Sequence, residues 1–311
     1  MRLLLVGIAL LLAPTARSQS VLFYNVENLF DTIHDRGFAD HEFLPDSPKE
    51  YGSIRYRLAL RQTARALRFS LYHASEPVQI IALCEVETRG VLEDLARHKA
   101  LRDQGNWQVV HFDSPDFRGI DCGALVNMDI VNLRQSHRIR YANDTMKTRD
   151  ALLLTYTGAD SICSHLAIVH LSSKRGGAAA TAPKRAYQLK TVIAALDTAS
   201  GPTLICGDFN DGPRAEAYQE ALTQGWNSPK IKPLPGLQHT SGSYKYKGRW
   251  QLIDLGISKN HSYSATVLSM HLLLEEDRKW GGFKPKKRWQ GTFFVNGYSD
   301  HLPVYFSGSG H

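Results

Sequence analysis

Nine short apolar runs recur along the chain: VLFYNV, VQIIALCEV, WQVVHF, GALVN, ALLLTYT, HLAIVHL, PTLICGDF, WQLIDLGIS and HLPVYF. Each has the length of a strand. Most lack the strict alternation of a strand with one wet face, so they fit strands covered on both sides or facing a second sheet. Between them, Ile54, Leu58, Ala64, Leu67 and Leu71 recur at roughly helical spacing, leaving Arg61, Arg65 and Arg68 for the opposite face. A second helix is predicted to start near Thr181, with Pro183 in its first turn, and to continue through AYQLKTVIAAL. A third fits PRAEAYQEAL. So many buried strands with a few helices predict an α/β protein whose layers pack around a large sheet core. No fixed-period repeat, heptad run or Pro/Gly/Ser-rich linker divides the 311 residues, so a single domain is expected.

Residues 1–18 read differently. Arg2, the apolar run Leu3 to Leu12 and the small-residue site Ala16-Arg17-Ser18 have the layout of a secretory signal peptide, and the run is too short to span a bilayer. The expectation is an exported monomer, periplasmic or secreted, whose domain covers residues 19–311, with no stable membrane anchor. Cleavage would remove Arg2 and Arg17 from a formal charge of +7 and leave a basic chain suited to anionic partners. Basic residues concentrate in DRKWGGFKPKKRW, where Lys284, Lys286, Lys287 and Arg288 alternate with Trp280, Phe283 and Trp289; a phosphate backbone with stacked bases and a solvated basic loop both fit. Cys84, Cys163 and Cys206 lie in or beside apolar runs and are expected as buried thiols rather than disulfides or zinc ligands.

The strand exits carry the chemistry. Asn25 and Glu27, Glu85 and Glu87, His170, Asp208 and Asn210, and Asp300 with His301 all stand where apolar runs end or begin. Rigid scaffolds hold functional side chains at such places. Glu85, still in apolar context, wants a partner: either a salt bridge to Arg89 or a hard divalent cation. Asp254, inside WQLIDLGIS, wants a donor, and the His301 imidazole would satisfy it. His170 opens HLSSKRGG, whose Lys174, Arg175 and glycines could enclose an anion or form an ordinary turn. Asp211 is expected to cap the helix near Pro213. No phosphate-binding loop, dinucleotide fingerprint, H-E-x-x-H or G-x-S-x-G motif is present, which disfavours kinases and serine hydrolases.

Taken in order, FYNVENL, IALCEVE, VHLSSKRGG, CGDFND, RWQLIDLGIS and YSDHLPV resemble the motifs of the endonuclease/exonuclease/phosphatase superfamily. This is the group related to DNase I, exonuclease III-type abasic endonucleases, inositol polyphosphate 5-phosphatases and bacterial sphingomyelinases. The resemblance spans Val21 to Phe306. It implies a four-layered α/β sandwich with two central mixed β-sheets. It also implies metal-dependent phosphoester hydrolysis, with Mg2+ or Mn2+ held by Glu85 and completed by Asn25, Glu27 or Asp300. The catalytic set carried over is His170, Asp208, Asn210, Asp254 and His301. Asn25, Arg118, Lys174 and Arg175 are expected around the substrate phosphate, with Arg118 or Asp121 brought near by FDSPDFRGIDCGALVN. No segment matches the active-site tyrosine of some members. The expected substrate is a nucleic acid cut by an exported nuclease. The alternatives are a phosphatase or a phospholipid, sphingomyelin or inositol-phosphate phosphodiesterase and, in another class, an exported binding protein that kept the fold without catalysis.

Overall fold

In the computed structural model, which describes residues 19–141, 147–232 and 240–308, the apolar runs become the strands of two sheets. The signal peptide expected at 1–18 lies outside the described residues. In chain order the sheet strands are β1 (Ser20–Leu29), β2 (Ile80–Val86), β3 (Trp107–His111), β4 (Asp121–Asn127), β5 (Asn132–Ile139), β6 (Ala151–Thr157), β7 (Cys163–His170), β8 (Thr203–Asp208), β9 (Lys230–Ile231), β10 (Asp254–Lys259), β11 (Tyr263–Val267) and β12 (Val304–Gly308). One seven-stranded mixed sheet has the order β3-β4-β2-β1-β12-β11-β9, and a five-stranded one has the order β10-β8-β7-β6-β5.

Both faces of the central strands are apolar because each face meets a different layer. Val21, Phe23, Ile80, Ala82 and Cys84 point across to Leu152, Leu154, Ile168, Leu204 and Cys206, forming the core between the sheets. The alternate residues Leu22, Tyr24, Ile81 and Leu83 pack beneath α1 (Ser53–His73) and α2 (Arg89–Arg97), which α3 (Lys99–Arg102) follows. On the far side, Leu153, Ala167, Val169 and Ile205 pack under α4 (Ala178–Ala195) and α5 (Glu216–Thr223). The result is the four-layered α/β sandwich with the β-sheets inside. Among the described residues no helix is long and apolar enough to cross a membrane.

Several local expectations change. α4 begins before Thr181, placing Pro183 inside the helix. α5 begins only at Glu216, with Ala215 at its N-cap, so Asp211 caps no helix and instead pairs with Arg185 and Lys174. α2, which the spacing did not predict, is started by Thr88, whose hydroxyl accepts the Val91 N–H. Cys84, Cys122 and Cys206 are buried free thiols, but Cys163 is exposed, because it opens β7 before the sheet core begins.

Gly207 has a steric reason. It faces Val169 across the β7–β8 ladder, and a Cβ there would overlap the Val169 carbonyl oxygen. Replacement by alanine must displace one strand just before Asp208. Gly207→Ala is expected to cost about 2–3 kcal/mol, read as a lowered urea midpoint.

Candidate active site

The exits of β1, β2, β7 and β8 open at the same end of the sandwich, and irregular backbone aims their polar side chains inward. The β2–β4 register shifts between Cys84 and Val86, and Glu85 between them has φ of +63°. In a regular strand Glu85 would alternate with Cys84 and leave the inter-sheet face. The bulge returns its carboxylate toward β1 and β8. Asn210, just past β8, is likewise left-handed at φ +50°, which asparagine tolerates better than most residues. Its amide N–H donates to Asp208 Oδ1 at 2.8 Å, closing a tight turn, while its side-chain Nδ2 donates to the Leu171 carbonyl at 3.0 Å.

These turns bring the predicted residues together. Asn25 Nδ2 lies 3.2 Å from both Glu85 Oε1 and Asp208 Oδ2. The other Glu85 oxygen accepts the Asn28 N–H at 3.0 Å. His170 Nε2 stands 3.8 Å from Glu85 and 3.6 Å from Asp208, and His301 Nε2 stands 3.9 Å from Asp208 and 4.0 Å from Asp300. Asp254 sits directly across the β8–β10 ladder from Asp208 and holds His301 Nδ1 at 2.8 Å. Ser299 fixes the approach of this last motif by donating to the Asn25 carbonyl and accepting the His301 N–H.

Electrostatics separate the two imidazoles. Burial opposes charge on His301, yet Asp254, Asp300 and Asp208 outweigh it and hold its pKa well above the usual range. Burial, reinforced by Arg149, Arg118 and His301, pushes His170 well below that range, so it is neutral. Burial raises the Asp208 carboxyl and makes it a better base than a solvated aspartate.

Glu85 tests the site's fit to a cation. Its side chain is 15% exposed at the cleft floor, and Arg89 turns away to Glu93. Among the described residues no lysine or arginine forms an ion pair with it. A carboxylate placed so, with Asp300 across the cleft and an amide beside it, is an oxygen donor set suited to a hard divalent ion.

The cleft above these groups has a volume of about 800 Å3. Arg118, Lys174 and Arg175, the residues expected around a substrate phosphate, line it. Arg118 is tethered through its backbone N–H and Nε to Asp116. Asp121 does not reach the cleft: its carboxylate is buried against Ser114 and His111. Tyr244 and Tyr246, which the sequence reading missed, also line the cleft. They lie on a hairpin, Tyr244–Tyr246 paired with Arg249–Gln251, and the Tyr244 ring is 4.9 Å from that of His301. Their signal was the aromatic–basic alternation of SYKYKGRW just before the Asp254 motif.

Two further expectations fail. Glu27 does not line the cleft; its φ of +50° turns the carboxylate to accept the N–H groups of Arg288 and Trp289, so it closes a loop instead of ligating metal. Arg288 is wholly buried, donating to the carbonyls of Val26, Glu27 and Tyr298 and to Thr63, so it cannot meet a phosphate backbone. Two other histidine–carboxylate groups are accounted for by internal pairing: His34 with Asp40, and His111 with Asp121 at 3.3 Å.

A sequence model of the Endonuclease/Exonuclease/phosphatase family matches residues 20–308. A search of curated proteins returned no significant match. Similar solved structures include an endonuclease/exonuclease/phosphatase family protein from Bacteroides thetaiotaomicron, with TM-score 0.61 and 13% identity over 94% of this chain and 97% of that one. A mannosyl-6-phosphatase of the same organism has TM-score 0.59 and 14% identity over 94% and 100%. D. rerio TDP2 complexed with single strand DNA product has TM-score 0.59 and 16% identity over 94% and 99%. At these identities the likeness shows a shared fold.

Proposed function

The chain belongs to the endonuclease/exonuclease/phosphatase family, and from that premise we propose that it is an exported hydrolase that cuts phosphodiester bonds of nucleic acid with a bound Mg2+ or Mn2+. The observation that carries the catalytic reading is the chain of close contacts at the floor of one cleft, His170 standing 3.8 Å from Glu85 and 3.6 Å from Asp208, and His301 3.9 Å from Asp208. Arg118, Lys174 and Arg175, lining the same cleft as two tyrosines, support a polyanionic substrate with rings to stack. Residues 1–18 support export. A binding protein without catalysis would have no use for a buried, oriented His–Asp pair beside a raised aspartate.

The residues divide the work. Glu85 and Asp300 would hold the cation, with Asn25 fixing the Glu85 carboxylate. The cation, when bound, supplies Lewis-acid polarisation of a phosphoryl oxygen and offsets charge at the leaving oxygen. His301 already carries its proton, so it donates Nε2–H to the phosphoryl group. Asp208 takes the proton of the attacking water, and Asn210 keeps that carboxylate oriented through its N–H. Neutral His170 offers a second contact to the phosphate without adding charge beside Arg118.

The test is a turnover panel of plasmid DNA, single-stranded DNA, RNA, sphingomyelin, inositol phosphates and mannose 6-phosphate, each with Mg2+ and with EDTA. Nucleic-acid cleavage lost in EDTA is the expected result. EDTA-sensitive turnover of a phosphomonoester or lipid alone would replace the substrate assignment, and no turnover anywhere sinks the enzyme.

A further inference from the structure

We propose that Arg149, which does not line the cleft, is the positioning residue that sets Arg118 and Asn210 at a fixed separation around the bound phosphate. The inference rests on the phosphoesterase reading above. Arg149 is buried just before β6 and spans two acceptors. Nη1 donates to Asp116 Oδ2 at 3.0 Å, and Nη2 donates to the Leu171 carbonyl at 3.0 Å. Each acceptor is shared with a cleft residue. The other Asp116 oxygen accepts the Arg118 N–H at 3.0 Å and faces Arg118 Nε at 3.4 Å. The Leu171 carbonyl also accepts Asn210 Nδ2 at 3.0 Å, and the Leu171 N–H donates to the Asp208 carbonyl at 2.8 Å. One guanidinium therefore joins the loop that carries Arg118 to the exits of β7 and β8.

Simple packing does not account for this arrangement. Arg149 Nε is buried without a partner, so a residue chosen for internal satisfaction alone would leave fewer loose ends. The planar fork gives what lysine cannot: two donors at a fixed spacing, one on Asp116 and one on the Leu171 carbonyl. With the brace intact, Arg118 is aligned by its own carboxylate before the substrate arrives, and little ordering remains for binding.

The experiment is a double-mutant cycle of Arg149→Lys with Arg118→Ala, read two ways. The first is kcat and KM on bis(4-nitrophenyl) phosphate with Mg2+; the second is the Kd of inorganic phosphate with Mg2+. Arg149→Lys is expected to lower kcat/KM about tenfold in the wild-type background but less than about twofold once Arg118 is alanine. Its effect on melting temperature should be the same in both backgrounds. Asp116→Asn, which keeps the side-chain shape, should reproduce the coupling if Arg149→Lys folds poorly. Additive losses in both readouts overturn the brace. A wild-type protein without turnover, but with coupled phosphate affinities, refutes the phosphoesterase reading and keeps the brace; loss of both removes both.

Discussion

Glu85→Gln is expected to remove Mg2+-dependent turnover almost completely while leaving the protein folded. The substitution keeps an oxygen for the Asn28 N–H, so the bulge that positions residue 85 keeps its hydrogen bond. What disappears is a cleft carboxylate that has no lysine or arginine partner among the described residues and would hold the cation. A cation acting as Lewis acid accounts for several kcal/mol of barrier lowering. At about 1.4 kcal/mol per factor of ten, the expected fall in kcat is about a thousandfold or more. Saturating Mg2+ should not restore it, and calorimetric titration should show the metal affinity weakened. A melting temperature no lower than wild type separates this result from misfolding. Glu27→Gln provides the contrast: because its carboxylate serves the Arg288–Trp289 loop, it should lower stability and leave the metal requirement unchanged.

That contrast also shows what could be read from the chain alone. The paired apolar runs announced buried strands because their two faces meet different layers, and a run such as IIALC has no polar alternate position. Asn25, Glu85, His170, Asp208 and His301 were legible because strand exits next to a rigid core are few, and each exit carried a polar side chain. Glu27 was misread because two residues along a regular strand share a face. The left-handed turn at Glu27 breaks that period, and nothing in NVENL marks it. Arg288 was misread for the opposite reason. Its lysine neighbours suggested a wet loop, whereas its partners are backbone carbonyls far away in sequence, at Val26 and Glu27. Arg149 carried no signal at all, since a positioning residue is defined by contacts that only the folded chain creates.

Asp254→Asn is the second large expected loss, and its pH dependence tells what the aspartate does. Asp254 is the strongest influence raising the His301 pKa against burial, and it holds the Nδ1 that fixes which face Nε2 presents. An asparagine keeps the volume but gives up the charge and can stabilise the wrong tautomer. Comparable loss of an orienting aspartate lowers kcat by about ten thousandfold. In the variant the His301 pKa drops, so the protonated donor persists only at more acidic pH. The rate of Asp254→Asn should therefore fall as pH rises through a lower value than in the wild type, and partial recovery is expected on acidification. Stability carries the same sign. A histidine whose folded pKa is raised contributes fully below its unfolded value of about 6.5 and loses that contribution as pH climbs through the folded value. Wild type and Asp254→Asn should thus differ most in urea midpoint on the acidic side and converge at high pH. A pH–rate profile that does not move would mean that the His301 proton is not the one that catalysis requires, and Asp208 would then have to share its acid/base work with another group.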